Sequence, residues 1–209
     1  MIVRTSHRSI AVGLVGYTTP RVGKEGALES TEDNTFLRTD RLLFRPVERA
    51  DLPTISSWYN DPDIRRVSGM SLPFLEHERE EFYQHTQSAE HRIWFAVVTR
   101  DDKTLVAETG FQRFNPNWRT ADLTLIVGDE RYQGQGYGTE ILKAMIEYGF
   151  GVVNLHRIAV GIVGFNDRAI AFYKKMGFVE EGRQRDGYYW DRTYHDFVMM
   201  SLLESEFDG

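Results

Sequence analysis

The order of apolar and polar positions along the chain predicts antiparallel strands first and a strand–helix–strand unit later. Runs of β-branched, aromatic and aliphatic residues that are bounded by turn residues predict strands. These predicted strands cover residues 41–45, 93–99, 105–114, 121–127, 157–163 and 194–203. Short polar turns at residues 100–103 and 115–117 connect neighbouring strands and therefore favour antiparallel pairing.

Apolar residues at every third or fourth position predict helices between these strands. The predicted helices cover residues 51–59, 63–67, 76–87, 138–152 and 166–177. The strand at 157–163 follows a crossover helix, and such a connection places it parallel to the strand before that helix. The predicted fold class is therefore α/β, an α+β mixed sheet in which antiparallel hairpins lead into a βαβ unit with a closing antiparallel strand.

Residues 1–38 and residues 39–209 are expected to form separate parts of the chain. A short apolar stretch at 10–17 is interrupted by two glycines, and residues 31–35 are polar and linker-like. The weak apolar stretch has no clear cleavage site after it, which argues against a signal peptide. We therefore describe the first part as an N-terminal extension of unknown role, and the second as one domain of ordinary size.

Composition and charge exclude several classes of function. The 209 residues include 25 basic and 31 acidic ones, giving a net charge of −6, which suits an amine substrate better than a nucleic acid. No cysteine is present, so disulfides and thiolate chemistry are excluded. The six histidines are scattered, and no apolar run approaches the roughly 20 residues that span a bilayer. We therefore expect a cytoplasmic protein with no nucleic-acid, membrane or metal partner.

Glycines recur at every second position between the strand at 121–127 and the helix that follows. In Gln133-Gly-Gln-Gly-Tyr-Gly138 the missing β-carbons leave room for backbone amides to approach a bulky anion. The start of the helix adds unpaired N–H groups and the positive end of the helix dipole. This context predicts a phosphate-binding loop, with a tight turn that binds nothing as the structural alternative.

This loop resembles the phosphate-loop signature of the GNAT superfamily of acetyl-CoA-dependent N-acetyltransferases. The signature is Gln/Arg-x-x-Gly-x-Gly/Ala, and Gln133-x-x-Gly136-x-Gly138 matches it. Arg131-x-x-Gly134-x-Gly136 also matches. The later register is preferred, because it places the last glycine where the helix begins.

A second motif downstream is similar to the Asn…Tyr…Gly-Phe helix of the same superfamily. It reads Asn166-x-x-Ala169-x-x-x-Tyr173-x-x-x-Gly177-Phe178. Residues 39–46 and 58–62 further resemble the RimJ/RimL-like branch, which includes ribosomal-protein and spermidine acetyltransferases. The resemblance extends from residue 39 to residue 203 and leaves out the N-terminal extension.

The resemblance implies that acetyl-CoA is the co-substrate. In the family, backbone amides of the loop bind the pyrophosphate, the pantetheine arm lies beside the strand that precedes the loop, and a backbone amide there polarises the thioester carbonyl. The same resemblance gives Asn166 a contact with the cofactor arm, although a plain helix cap would also explain this residue. The implied cofactor-binding residues are Ile126, Val127, Gln133, Gly134, Gln135, Gly136, Tyr137, Gly138, Thr139, Asn166 and Tyr173.

Three residues are candidates for the proton transfers. The resemblance implies that Tyr173 protonates the departing thiolate, and a phenol with a pKa of about 10 can donate to a thiolate whose conjugate acid has a pKa of about 8.5. A core aromatic is the structural alternative for Tyr173. Asp122 stands where the family often has a glutamate that serves as general base, and Glu108 on the neighbouring strand competes for that role. Some family members use ordered water instead of either acid.

The implied reaction is direct attack of a primary amine on acetyl-CoA in a ternary complex. The amine would belong to a protein N-terminus, a polyamine or another small molecule, and the family habit of dimerising favours a homodimer. A non-catalytic CoA-binding module or sensor is the alternative function. A dinucleotide-binding oxidoreductase is disfavoured, because Gly134-x-Gly136 would require a third glycine at position 139, where Thr139 stands.

Overall fold

The computed structural model describes residues 34–87 and 92–207, and these form an eight-stranded sheet with five α-helices. The strands are β1 (Leu37–Arg38), β2 (Leu42–Arg45), β3 (Ile93–Thr99), β4 (Leu105–Asn115), β5 (Thr120–Val127), β6 (Arg157–Val163), β7 (Val179–Trp190) and β8 (Thr193–Leu203). The helices are α1 (Leu52–Asn60), α2 (Pro62–Ser68), α3 (Glu78–Gln87), α4 (Tyr137–Gly151) and α5 (Asp167–Lys175). Most of the extension predicted over residues 1–38 lies outside the described residues, and its boundary with the domain stays a prediction.

The sheet has the mixed topology that the sequence predicted. Its strand order is β1-β2-β3-β4-β5-β6-β8-β7. β5 and β6 are parallel, whereas all other neighbouring strands are antiparallel. α4 provides the crossover that a parallel pair requires. The antiparallel strands β3, β4 and β5 therefore lead into the βαβ unit, and β8 returns antiparallel to β6, which confirms the predicted fold class.

Both faces of the sheet are covered by helices, because successive strand side chains point to opposite faces. On β3, Phe95 and Val97 belong to the core that also contains the buried side chains of α4 and α5. Trp94 and Ala96 belong to the other core, which is built mainly with α1 and flanked by aromatic residues of α3. The position of a residue along β4 or β5 therefore decides which set of helices it faces.

The hydrophobic pattern predicted neither β1 nor β7, and β7 is the longer of these two strands. Its residues from 180 to 187 are charged, polar or glycine, and most of them are exposed. β7 lies at the edge of the sheet and pairs with β8, so its side chains have little core to face. The pairing with β8 decides that this segment is a strand, and such context dependence is typical of β-structure.

Candidate active site

A wedge-shaped gap opens between β5 and β6. The two strands pair at three positions, Thr120 with Arg157, Ala121 with Ile158 and Asp122 with Ala159. Beyond Asp122, β5 continues to Val127 and remains paired to β4 on its other side. The gap therefore leaves one edge of β5 open in the middle of the sheet.

Backbone groups of Leu125 and Val127 face this gap. The N–H of Gly128 donates to Val106 O at 3.1 Å, just past the last paired residues of β4 and β5. In an antiparallel ladder this makes Val127 a non-hydrogen-bonded position, and alternation gives Leu125 the same status. Their N–H groups point away from β4, whereas the N–H of Ile126 points toward it. Of the two predicted oxyanion donors, Val127 is the one whose N–H faces the gap.

The glycine loop lies at the wide end of the gap, between β5 and α4. Gly134 and Gly136 have left-handed backbone angles, with φ of 73° and 85°, which residues with a β-carbon adopt only at a cost. The N–H of Glu140 bonds to Gly136 O at 3.1 Å as the first bond of the helix. The N–H groups of residues 137–139 therefore have no partner within α4 and lie at the positive end of its dipole. Such a helix start can bind a phosphate group.

Residues from the turn between β1 and β2 brace this loop. Arg41 donates to Gln135 O at 3.0 Å, and its Nε pairs with Glu140 Oε2 at 2.7 Å. Thr39 Oγ1 donates to Glu140 Oε1 at 2.6 Å, and the Arg41 guanidinium lies 4.3 Å from the centre of the Tyr137 ring. Burial opposes ionisation of Glu140, but the hydrogen bonds from Thr39 and Arg41 outweigh it and lower its pKa. The loop is therefore held in shape before any ligand arrives.

Tyr173 lies on α5, in the core that also contains buried residues of β5 and α4. A methyl group added at Gly138 would lie 3.8 Å from Phe172 Cζ and 4.0 Å from Val127 Cγ2, so α5 reaches the loop and the end of β5. The Tyr173 ring packs against Phe172 and Phe178, each with 5.2 Å between ring centres. Burial raises the pKa of Tyr173 well above its ordinary value. The phenol therefore keeps its proton throughout the neutral range.

The remaining predicted cofactor residues lie around the same junction. The Asn166 side-chain oxygen accepts the N–H of Ala169 at 3.1 Å and caps α5. The structure therefore shows Asn166 as a helix cap, and a contact of Asn166 with the cofactor stays a prediction. Gln133, the first residue of the loop signature, accepts a hydrogen bond from Arg168 Nη1 at 3.1 Å. A second link therefore joins α5 to the loop.

Asp122 lies at the last paired position of β5 and β6, where the gap begins. Strand alternation places it on the same face as Ile126, which packs against the core built with α1. Its side chain is 27% exposed and forms an ion pair with Arg113. A carboxylate at this position is open to solvent and adjoins the gap, as a general base must.

Glu108 lies on the same face but is completely buried. It pairs opposite Ile126, four positions along the ladder from Asp122, a separation of about 13 Å. The Tyr59 hydroxyl donates to Glu108 Oε1, and Trp94 Nε1 donates to Oε2 at 3.1 Å. Burial raises the pKa of Glu108 to about 7, although both hydrogen bonds and the charge of Arg92 lower it. The two predicted bases are therefore not brought together.

We expect Glu108→Gln to stabilise the protein at alkaline pH. The ordinary pKa of 4.5 describes the unfolded chain and a pKa of about 7 the folded one, so between these values the folded state holds a proton that the unfolded state has lost. The free energy of unfolding of the wild type should therefore fall as pH rises from 4.5 to 7, by about 3 kcal/mol, and then level off. Glutamine does not titrate, so the variant should lack this fall.

Urea unfolding of both proteins at pH 5, 6, 7 and 8 measures this difference. Thr124→Val, at another position on the same face of the sheet, serves as the control that removes a polar group without a charge. Wild-type and Glu108→Gln stabilities that change in parallel with pH would contradict the assignment of a raised pKa to this carboxyl group.

The sequence did not predict Tyr59, Trp94 or Arg41 as parts of the site. Tyr59 and Trp94 are 49 and 14 residues from Glu108, and Arg41 is 99 residues from Glu140. No local pattern links such pairs, because the fold brings them together. Tyr59 does follow Trp58 on a helix with a regular apolar stripe, but this signal predicts core packing and nothing more.

Metal and membrane partners were both expected to be absent. Within residues 34–87 and 92–207, no group of three or more His, Asp or Glu side chains is arranged to hold a metal ion. Over the same ranges, no helix combines the length and apolar character needed to cross a bilayer. The expected absence of a metal and the cytoplasmic location both stay predictions.

Comparison with known proteins gives the same family as the motifs. Residues 41–179 match the family model described as an acetyltransferase (GNAT) domain. The spermidine N(1)-acetyltransferase of Vibrio cholerae is 30% identical over 174 residues, which cover 80% of this chain and 95% of that protein.

Solved structures of a spermidine N-acetyltransferase from Vibrio cholerae have a similar fold. A crystal structure in complex with CoA and spermine matches with a TM-score of 0.74 and 26% identity, covering 80% of this chain and 98% of that one. A second structure, described as dodecameric and in an intermediate state, matches with a TM-score of 0.69 and 27% identity, covering 80% and 96%. Residues 41–179, which the family model matches, include β5, the glycine loop, β6 and α5.

Proposed function

We propose that this chain, which belongs to the GNAT family of acetyl-CoA-dependent N-acetyltransferases, acetylates a primary amine of a small polycationic molecule, with a polyamine as the first candidate. The observation that carries this proposal is the open edge of β5 with the glycine loop at its wide end. An arm built of amides can pair with that edge as an added strand would, while its diphosphate lies at the start of α4. The wedge and the loop therefore fit the two chemically distinct parts of one ligand.

In this arrangement the thioester lies within the gap. The N–H groups that face the gap, on Leu125 and Val127, are the proposed donors to the carbonyl oxygen of the acetyl group. Such donors stabilise the negative charge that develops on this oxygen when the amine attacks. Because they belong to a strand held by β4, they need little reorganisation during the reaction.

The amine is proposed to enter from the face covered by α1, α2 and α3. Asp122 is open on that face and takes the proton of the amine, directly or through one water. Tyr173 lies on the opposite face and gives its proton to the sulfur when the carbon–sulfur bond breaks. The base and the acid thus lie on opposite faces of the gap. Both substrates can therefore be bound at the same time, as direct transfer in a ternary complex requires.

Glu108 has a different role in this proposal. Both of its oxygens accept hydrogen bonds from buried donors, and its side chain has no exposed surface. We propose that Glu108 holds Tyr59 and Trp94 in place on the face of the sheet from which the amine enters. Because a raised pKa is also typical of catalytic acids and bases, the activity of Glu108→Gln tests this assignment.

The acceptor proposal is supported by the relatives and by charge. The compared proteins are described as spermidine acetyltransferases, one of them bound to spermine. The net charge of −6 favours the approach of a cation. Self-association is proposed on the ground that one relative is described as dodecameric.

Release of the CoA thiol from acetyl-CoA in the presence of different amines tests the function. We expect turnover with spermidine or spermine and little with peptides that begin with Ala or Ser. The reverse preference would replace the polyamine by a protein N-terminus. Intact CoA binding without turnover on any amine would support the non-catalytic module, and no CoA binding would overturn the proposal.

A pair of glycine variants separates loop function from helix stability. Gly136→Val places a β-carbon at φ 85°, 3.4 Å from Arg41 Nη2, and should abolish CoA binding. Gly151→Ala lies at the other end of α4, where an added methyl group meets nothing within 4 Å. It should leave CoA binding unchanged, since alanine is the better helix former.

A further inference from the structure

Three arginines surround the glycine loop, and two of them are neutralised by carboxylates. Arg41 pairs with Glu140 at 2.7 Å, and Arg131 pairs with Asp129 at 2.6 Å. Each pair contributes little net charge at the loop. The loop residues from 133 to 138 carry no charge themselves. Leaving Arg168 aside, the positive potential at the loop therefore comes mainly from backbone amides and the dipole of α4.

Arg168, on the first turn of α5, is the third arginine. Its Nη1 donates to Gln133 Oε1 at 3.1 Å, a neutral partner. Among the described residues, no carboxylate forms an ion pair with it, and its side chain is exposed. Arg168 therefore holds a full positive charge directly beside the first residue of the loop signature.

The first residue of the loop signature is neutral in this chain, so the charge of the neighbouring Arg168 matters for anion binding. The signature accepts either glutamine or arginine at this position, and the chain has Gln133. A neutral glutamine leaves the loop without a side-chain cation of its own at the signature's first position. The cation beside this position is Arg168, which belongs to α5 and donates to Gln133.

We propose that Arg168 binds a phosphate group of coenzyme A and is a cofactor-binding residue. The inference rests on the proposed function, because it takes CoA as the ligand of the loop. Guanidinium groups bind phosphate oxygens through charged, often bidentate hydrogen bonds. CoA offers phosphate in two places, the diphosphate and the 3′-phosphate of its ribose, and Arg168 at the rim of the loop is close to the path of either.

Calorimetric titration of CoA and of 3′-dephospho-CoA into three proteins tests this. The proteins are the wild type, Arg168→Gln and Lys175→Gln. Lys175 is the matched control, because it is an exposed cation at the other end of the same helix, about 10 Å further along. Both variants thus lose one positive charge from α5, and only one loses it beside the loop.

We expect Arg168→Gln to raise the Kd for CoA about tenfold, the size of one charged hydrogen bond, and Lys175→Gln to change it less than twofold. If the loss disappears with 3′-dephospho-CoA, Arg168 binds the 3′-phosphate, and if it persists, Arg168 binds the diphosphate. Either result supports the inference.

Two results would overturn it. Arg168→Gln could bind CoA within twofold of the wild type, or both variants could lose affinity equally, which would indicate a general effect of charge. A wild-type protein that binds CoA while Arg168→Gln does so equally well refutes this inference alone. A wild-type protein that does not bind CoA overturns the proposed function as well.

Discussion

Tyr173→Phe is expected to lower kcat about 10²- to 10³-fold while the Kd for CoA stays within twofold of the wild type. The variant keeps the ring that packs against Phe172 and Phe178 and removes only the hydroxyl. Without that proton donor, the thiolate must leave unprotonated or find a water, and a positioned acid contributes this much to the rate of proton transfer. Thiol release at saturating substrates measures kcat, and calorimetry measures the Kd.

Tyr148→Phe provides the control for this variant. Tyr148 is equally buried, lies in the same core on α4, and also has its pKa raised by burial. Loss of the Tyr148 hydroxyl should leave kcat unchanged, since Tyr148 is not among the residues at the gap. A Tyr173→Phe enzyme with wild-type kcat would remove Tyr173 from its role as acid.

Asp122→Asn is expected to lower kcat by about 10²-fold, again with little change in CoA affinity. The amine must lose a proton to complete the transfer, and Asp122 is a partly exposed carboxylate at the point where β5 and β6 part. Asparagine has nearly the same shape but cannot accept that proton, so the loss should fall on kcat. The measurement is the rate of thiol release with the best amine found.

Two companion variants decide between the candidate bases. Arg113→Gln removes the ion-pair partner of Asp122 and should change kcat less than fivefold. Glu108→Gln should also retain most of its activity, because its carboxyl group has no exposed surface. If Glu108→Gln loses the rate and Asp122→Asn keeps it, the base is Glu108, and the rate of the wild type should then rise with pH through about 7, as the carboxylate forms.

The hydrophobic pattern predicted most of the fold because most elements of this chain bury one side. β3 and β6 have the predicted bounds, and β2, β4, β5 and β8 differ from prediction only at their ends. The pattern did not predict β7, because its polar residues do not alternate with apolar ones. Its strand structure depends on β8, which comes later in the chain, and no local signal carries that dependence.

Local sequence motifs identified one part of the candidate site, whereas the other part depends on contacts between distant segments. The glycine loop and the helix with Tyr173 are continuous motifs, so their residues could be named from the sequence. The brace from Arg41 to Glu140 and the burial of Glu108 under Tyr59 and Trp94 join distant segments. Exposure also decides which carboxylate reaches the amine, and the sequence does not report exposure for a single acid on a strand.

The place of β8 sets a limit on how this chain can be shortened. All seven residues of β6 pair with β8, and β8 also supplies Val198, Met200 and Leu202 to the core that holds Tyr173. A fragment that stops after Phe178 would keep both sequence motifs. It would nevertheless leave one edge of β6 unpaired and remove apolar side chains from the core around Tyr173. The motif-bearing segment is thus not an autonomous folding unit, because β8, which follows both motifs in the chain, completes the core.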